Sequence, residues 1–298
     1  MRPFCKVESL KFKYGFNFQA ISFHFSLFTF NSPHVGRFFT PRGRLIIVYI
    51  MNKKVVFFDS GIGGLSTLAV ALSLCPILSY IYVADNKHAP YGRLPARTVT
   101  KYVCATLKPY LNRDDVGAIV LACNTATNCA IEKLRTMTNK PIIGTEPAVV
   151  PASKMGKVLV FATPTTVMQP KFEVLCGEAA APLAICPCPT LATDIERFFE
   201  DESPQALTDI ILSIKRASSG VSGTACVCLG CTHYSIIKGV FARIFGVPVV
   251  DGNLGVANQL LRIIGSDPEF ASSVKSFPQI ITTAPSKINY QKVLSKLI

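Results

Sequence analysis

From residue 53 onward, apolar residues gather in short runs closed by polar or Gly-rich residues, with longer amphipathic segments between them. Unbroken apolar runs of about four to eight residues fit strands buried on both faces of a parallel sheet, and the segments between them fit crossover helices. The pattern predicts strands over 55–58, 80–84, 118–121, 141–144, 158–161, 182–185, 225–229 and 248–250. Helices are predicted over 65–74, 96–111, 126–137, 166–178, 190–200, 204–217 and 235–245. The strands fall into two sets of four that repeat each other. Asp59-Ser60 follows the first strand as Ala162-Thr163 follows the fifth, and Ala122-Cys123-Asn124-Thr125 is matched by Gly230-Cys231-Thr232-His233. A separation of about a hundred residues is too long for a solenoid, whose period is about 20 to 50.

The expected fold is α/β with two pseudo-symmetric domains, each a mainly parallel four-stranded sheet flanked by helices. The active site is expected in the cleft between them, with one Cys-bearing loop on each side. Residues 51–147 with 253–298 are expected to form the first domain and residues 148–252 the second. Pro147, Pro151, Gly252 and Gly255 suit hinge connections at the crossings. Residues 1–50 read differently: they hold ten of the 20 Phe, with no sustained period of 2 or 3.6. A second Met, Met51, directly precedes the first good strand, so the segment is read as an extension outside the fold, translated from an upstream start codon. A targeting peptide is the rival reading, but the segment lacks an amphipathic arginine pattern.

Composition narrows the function classes. Hydrophobic residues make up 49% and charged residues 16% of the 298 positions, which supports a packed core and rules out a disordered or coiled-coil chain. Every apolar run is interrupted well before the roughly 18 residues a spanning helix needs, so no membrane partner is expected. The formal charge of +13 raises the question of nucleic acid. Seven of the basic residues and only one acid lie in residues 1–50, and the remainder form no Lys/Arg block. No specific nucleic-acid partner is therefore expected. Eleven Cys without a secretory signal point to a reducing cytoplasm rather than a disulfide framework. Cys75, Cys104, Cys129 and Cys176 are expected to be buried structural thiols.

The chemistry-bearing motifs lie at the carboxyl ends of the predicted strands, where open parallel sheets bind ligands. Phe58-Asp59-Ser60-Gly61-Ile62-Gly63-Gly64 is a strand, a polar pair and a glycine turn into a helix. It resembles part of a dinucleotide-binding turn, with Asp85 placed as a ribose acid. Ser66 stands where that turn carries Gly or Ala, however, and Asp59 would face the pyrophosphate. An acid at this tip suits an ammonium group or proton transfer better. Cys123 and Cys231 each end a strand before a helix start, where the helix N-terminus is expected to lower the thiol's pKa. Cys226, Cys228 and Cys231, with Cys186 and Cys188, raise a zinc or iron–sulfur alternative. Cys226 and Cys228 alternate within one apolar strand and share a face while Cys231 lies beyond its end, so no metal site is expected.

Taken together, Asp59-Ser60-Gly61-Ile62-Gly63-Gly64-Leu65, Pro90-Tyr91-Gly92, Ala122-Cys123-Asn124-Thr125-Ala126, Glu146-Pro147 and Leu229-Gly230-Cys231-Thr232-His233-Tyr234 resemble the cofactor-independent aspartate/glutamate racemase family, and within it the enzymes acting on glutamate. The resemblance covers about residues 52–255 and leaves 1–50 unmatched. It implies an isomerase: interconversion of L- and D-glutamate by two-cysteine proton transfer, with no cofactor, supplying D-glutamate for peptidoglycan in the cytoplasm. Cys123 would deprotonate the D-enantiomer and Cys231 the L-enantiomer, assisted by Asp59 and His233 respectively. Ser60, Asn124, Thr125 and Thr232 would bind the amine and α-carboxylate, and the backbone N–H groups of Tyr91 and Gly92 the side-chain carboxylate. Glu196 resembles an additional acid near the second thiol. The small-molecule substrate is the partner implied, with a homodimer allowed. Within the family, aspartate is the alternative substrate; outside it, a nucleotide- or metal-binding α/β protein is. The chain departs from the common pattern at Ser235, where Pro is usual, at Gln169 and Phe172, and at Arg93-Leu94-Pro95. His88 is read as a solvated loop residue and Thr163 and Thr166 as helix caps.

Overall fold

The computed structural model describes residues 53–264, 270 and 276–298, with the backbone of 35–39 and 45–49. By its contacts the chain divides between Met51 and Asn52. In the first unit β1 (Val35–Phe39) pairs antiparallel with β2 (Leu45–Tyr49). The sequence pattern predicts no element there. The rest of the expected 1–50 extension lies outside the described residues.

The second unit, Asn52–Ile298, carries two sheets. Its first half runs β3 (Lys54–Asp59), α1 (Leu65–Leu74), β4 (Ser79–Ala84), a 3-10 turn (Tyr91–Arg93), α2 (Ala96–Leu111), β5 (Val116–Leu121), α3 (Asn124–Arg135) and β6 (Ile142–Gly144). After α4 (Val149–Ser153) come β7 (Val158–Ala162), α5 (Pro164–Val167), α6 (Pro170–Gly177), β8 (Leu183–Pro187), α7 (Leu191–Asp201) and α8 (Pro204–Ala217). Then follow β9 (Cys226–Gly230), α9 (Thr232–Ile236), α10 (Lys238–Phe245) and β10 (Val249–Asp251), and the chain closes with α11 (Asn253–Ile264), β11 (Gln279–Thr282) and α12 (Tyr290–Ser295).

The sheets have the orders β11-β4-β3-β5-β6 and β10-β9-β7-β8, with every pairing parallel. In each, the first strand of its half is flanked by the second on one side and the third on the other, with the fourth beyond the third. The internal repeat in the sequence is thus a repeat of topology. The first sheet differs from the four strands expected, since the C-terminal segment returns and adds β11 beside β4. A four-residue edge strand that stays half-exposed carries no apolar run to announce itself.

The core follows from period-2 alternation in strands buried on both faces. Val55 and Phe57 of β3, Leu159 and Phe161 of β7 and Val227 and Leu229 of β9 all enter one cluster, so apolar packing is continuous from one sheet to the other. Val56 and Phe58 face a second cluster against α2 and α3. Val158, Val160, Cys226 and Cys228 face a third; the two cysteines share a face as their spacing requires. Burying a side chain such as Phe57 contributes roughly 2–3 kcal/mol.

Proline edits the predicted helices. The helix predicted over 166–178 is two, because Pro164 and Pro170 each open a new first turn, where a missing N–H costs nothing. The helix predicted over 235–245 begins earlier, at Thr232, and breaks at Ile237. Pro151 and Gly255, read as hinge residues, lie inside α4 and α11. Among the described residues, no helix is long and apolar enough to cross a membrane.

Candidate active site

Strand β3 sits where the chain order of its sheet reverses, so the loops leaving β4 and β5 diverge on either side of its carboxyl end. Asp59 is the last residue of that strand and is fully buried. One carboxylate oxygen accepts the Gly61 N–H at 2.7 Å. The other accepts the Thr232 hydroxyl at 2.9 Å, so an acid of the first sheet is bonded to the loop that follows β9 in the second. Burial pushes the Asp59 carboxyl above its ordinary range, opposed by the charge of His233 and by these two hydrogen bonds.

The two thiols occupy equivalent places. Cys123 is the N-cap residue of α3 and Cys231 that of α9; both have extended backbone and both are buried. The expectation that the helix N-terminus would lower the Cys123 pKa is reversed. Burial, the negative charge of Asp59 and the nearby Cys231 drive it well above 9.0, and the N–H groups of Ala126 and Ser60 do not overturn that. A few backbone dipoles offset only part of the cost of a buried thiolate.

Beside Cys231 the balance runs the other way. His233 is buried, and burial disfavours its charge. A hydrogen bond with the Cys231 sulfur, the Glu196 hydrogen bond and the charges of Asp59 and Glu196 outweigh that, so the imidazole titrates well above 6.5. Glu196, from α7, places Oε1 2.7 Å from His233 Nε2 and accepts the Ile62 N–H on the same oxygen at 2.9 Å. The looser sequence match for Glu196 thus lies against the histidine next to the second thiol.

Three threonine hydroxyls meet beside Cys123. Thr125 Oγ1 lies 3.1 Å from Thr163 Oγ1 and 3.3 Å from Thr166 Oγ1, joining α3 to the end of β7. Thr163 also caps α5 by accepting the Thr166 N–H at 3.3 Å, so the capping reading holds for Thr163, while Thr166 lies inside the helix and is not a cap. Tyr91 and Gly92 form the 3-10 turn just across from it, where the Thr165 hydroxyl donates to the Gly92 carbonyl at 2.9 Å. Asn124 directs its side-chain amide to the Thr145 carbonyl at 3.3 Å. Ser60 is buried next to Asp59.

Several participants carried no signal of their own in the sequence. The Tyr82 hydroxyl donates to the Gly61 carbonyl at 2.7 Å, bracing the glycine turn from β4. Ser66, noted only as a mismatch to a dinucleotide turn, donates to the carbonyls of Gly63 at 2.8 Å and Thr232 at 3.3 Å. His88 is not simply solvated, since its Nδ1 lies 2.9 Å from the Asp85 carboxylate. Cys75, Cys104, Cys129 and Cys176 are half-buried rather than buried; burial pushes Cys129 up to about 11. A cavity of about 670 Å³ lies at the opposite ends of the strands, lined by Leu111, Gly117, Arg135 and Lys140 among others, away from both thiols.

The family model described as Asp/Glu/Hydantoin racemase matches residues 77–260. The chain is 39% identical over 221 residues to a glutamate racemase of Clostridium novyi, covering 72% of this chain and 84% of that protein. It is 35% identical over 254 residues to glutamate racemase 2 of Bacillus subtilis, covering 82% and 93%. Its fold is similar to that of Escherichia coli glutamate racemase in complex with L-glutamate and the activator UDP-MurNAc-ala, with a TM-score of 0.69, 26% identity, and 83% and 95% of the two chains covered. It is also similar to that of the Francisella tularensis enzyme in complex with D-glutamate, with a TM-score of 0.67 at 26% identity over 83% and 94%. With two thiols at equivalent strand ends and these relatives in sequence and fold, the chain belongs to the Asp/Glu/Hydantoin racemase family.

Proposed function

We propose that the chain is a glutamate racemase that interconverts L- and D-glutamate by moving a proton between the substrate α-carbon and Cys123 on one face and Cys231 on the other. The observation that carries the reading is the pairing of each strand-end thiol with its own buried ionisable group, Asp59 beside Cys123 and His233 beside Cys231. The similarity to proteins named glutamate racemase supports glutamate as the substrate.

Inverting a stereocentre through its α-proton needs a base on one side and an acid on the other. His233, held protonated, hydrogen-bonds the Cys231 sulfur, while Cys123, pushed up by burial, remains a thiol. From L-glutamate the pair works as one base and one acid. Cys231 takes the α-proton of L-glutamate and Cys123 delivers one to the opposite face. In reverse, the Asp59 carboxylate, its proton affinity raised by burial, accepts the Cys123 proton and the His233 imidazolium gives one to Cys231, so that the Cys123 thiolate takes the α-proton of D-glutamate and the Cys231 thiol delivers one to the opposite face. The carbanion character that develops is stabilised by fixed donors at the starts of α3 and α9 in a site closed to water. Ser60, Asn124, Thr125 and Thr232 hold the amine and α-carboxylate, and the Tyr91 and Gly92 N–H groups hold the side-chain carboxylate. In this reading residues 51–147 with 253–298 form one domain and 148–252 the other, each supplying one thiol. The D-glutamate feeds peptidoglycan synthesis in the cytoplasm.

Circular dichroism of D- and L-glutamate, then of the aspartate enantiomers, with purified protein tests this directly. Loss of glutamate signal from either enantiomer is expected. Turnover of aspartate without turnover of glutamate would reject the substrate.

A further inference from the structure

We infer that Asp85, with Thr283 just past the C-terminal strand, is a positioning residue that fixes the loop presenting Tyr91 and Gly92 to the substrate's side-chain carboxylate. The inference rests on the glutamate reading above and assigns work to residues that reading leaves unused.

Asp85 directly follows β4 and is fully buried. Its backbone N–H donates to the Asp59 carbonyl at 2.9 Å, which locks its position to the strand that carries the catalytic acid. A buried carboxylate must be satisfied by strong donors, and here they come from three separate points. The Tyr91 hydroxyl donates to one oxygen, the Thr283 hydroxyl to the other at 2.7 Å, and His88 Nδ1 lies 2.9 Å and 3.0 Å from the two. The His88 ring stacks on Tyr102 of α2 at 3.8 Å between centroids.

The chain between these anchors is pinned to the end of β11. Asn86 Nδ2 donates to the Ala284 carbonyl at 2.9 Å, the Ala284 N–H returns a bond to Asn86 Oδ1 at 3.0 Å, and the Lys87 N–H donates to Thr283 Oγ1 at 3.1 Å. From the other half of the molecule, Thr165 holds the carbonyls of Gly92 at 2.9 Å and Leu94 at 3.2 Å, and Arg93 Nε donates to the Pro189 carbonyl at 2.6 Å. The turn is therefore held on both sides by groups that need not touch the substrate. Backbone N–H groups that bind a carboxylate lose affinity when displaced by about 0.5 Å, which is the use of such bracing. It also explains why the C-terminal segment returns to the first sheet: β11 delivers Thr283 to the loop.

The test compares the full chain with Thr283→Val, Thr283→Ser and Asp85→Asn, measuring KM and kcat for both glutamate enantiomers together with Tm. Loss of binding shared by ground and transition states raises KM and leaves kcat. Thr283→Val is expected to raise KM about three- to tenfold with kcat changed less than about twofold, and Thr283→Ser, which keeps the hydroxyl, to restore KM. Asp85→Asn should act in the same direction and further; should it fail to fold, Thr283→Val decides. An unchanged KM in Thr283→Val, with or without a lower Tm, would overturn the inference and reduce the network to fold stability. Absence of racemisation by the unaltered chain would instead overturn the parent reading, and this one with it.

Discussion

Oε1 of Glu196 lies 2.7 Å from Nε2 of His233 and accepts the Ile62 N–H at 2.9 Å, so one carboxylate oxygen from α7 ties the imidazole to the glycine turn after β3. That contact is one reason His233 stays protonated above its ordinary 6.5. Glu196→Gln removes the charge and keeps an acceptor for Ile62. His233 then loses its proton at a lower pH, so activity that needs the imidazolium falls earlier as pH rises. The alkaline limb of the kcat/KM profile should move down in Glu196→Gln, equally for both enantiomers because they are isoenergetic in achiral water, with Tm little changed. An alkaline limb that stays in place would separate Glu196 from the titration.

The glycine turn makes a second, paired prediction. A Cβ at Gly61 would overlap the carboxylate of Glu196, the movable end of a side chain, whereas a Cβ at Gly63 would come within 2.7 Å of the His233 backbone nitrogen. Gly61→Ala should therefore fold and reproduce the pH shift of Glu196→Gln, with kcat lowered by about tenfold to a hundredfold through misplacement of the pair. Gly63→Ala should also lose about 1–3 kcal/mol of stability, since backbone must shift. Denaturant unfolding alongside kinetics distinguishes the two.

Cys123→Ser and Cys231→Ser should each reduce racemisation by about a thousandfold or more, because an alcohol is a far poorer base than a thiolate and each turnover needs both groups. Both variants should keep the native circular dichroism spectrum. In deuterated water each should retain slow α-exchange from only one enantiomer, with opposite preference in the two. Near-normal racemisation by either variant would sink the two-base assignment.

Cys226→Ser separates packing from chemistry. Cys226 is fully buried in the apolar cluster under β7 and β9, with its sulfur 3.6 Å from the Val227 carbonyl. A hydroxyl there should cost about 1–3 kcal/mol and lower Tm by roughly 3–10 °C, leaving kcat and KM unchanged. Loss of kcat in the folded variant would give this thiol a chemical role.

Both thiols, both parallel sheets and, among the described residues, every residue bonded to Asp59 fall within Asn52–Ile298. A chain starting at Met51 should accordingly keep its kcat and KM and gain solubility, having shed ten Phe with the basic segment of residues 1–50. Failure of that chain to fold would assign the first fifty residues a packing role.

Much of the architecture is written locally. The central strands are legible because a strand buried on both faces must be an unbroken apolar run, as in Val55-Val56-Phe57-Phe58 and Val158-Leu159-Val160-Phe161. The duplicated Cys motifs are legible because both lie where such a run stops. Edge strand β11 is not: Gln279-Ile280-Ile281-Thr282 becomes a strand only by pairing with β4.

The sequence by itself determined roughly where the central strands end, that the two halves repeat, and that Cys123 and Cys231 stand at equivalent tips, with Asp59 after the first strand and His233 two residues past the second thiol. Only the tertiary structure decided how those groups titrate and who braces them. A helix N-terminus is visible in sequence and argues for a lowered Cys123 pKa, but the dielectric around the thiol is set by everything folded over it, and burial beside Asp59 wins in the opposite direction. In the same way Asp85 reads as one acid after one strand until Tyr91, His88 and Thr283, the last of them 198 positions away, converge on its two oxygens. Spacing along a chain reports local geometry; solvation and hydrogen-bond partnership depend on which distant segments the fold brings together.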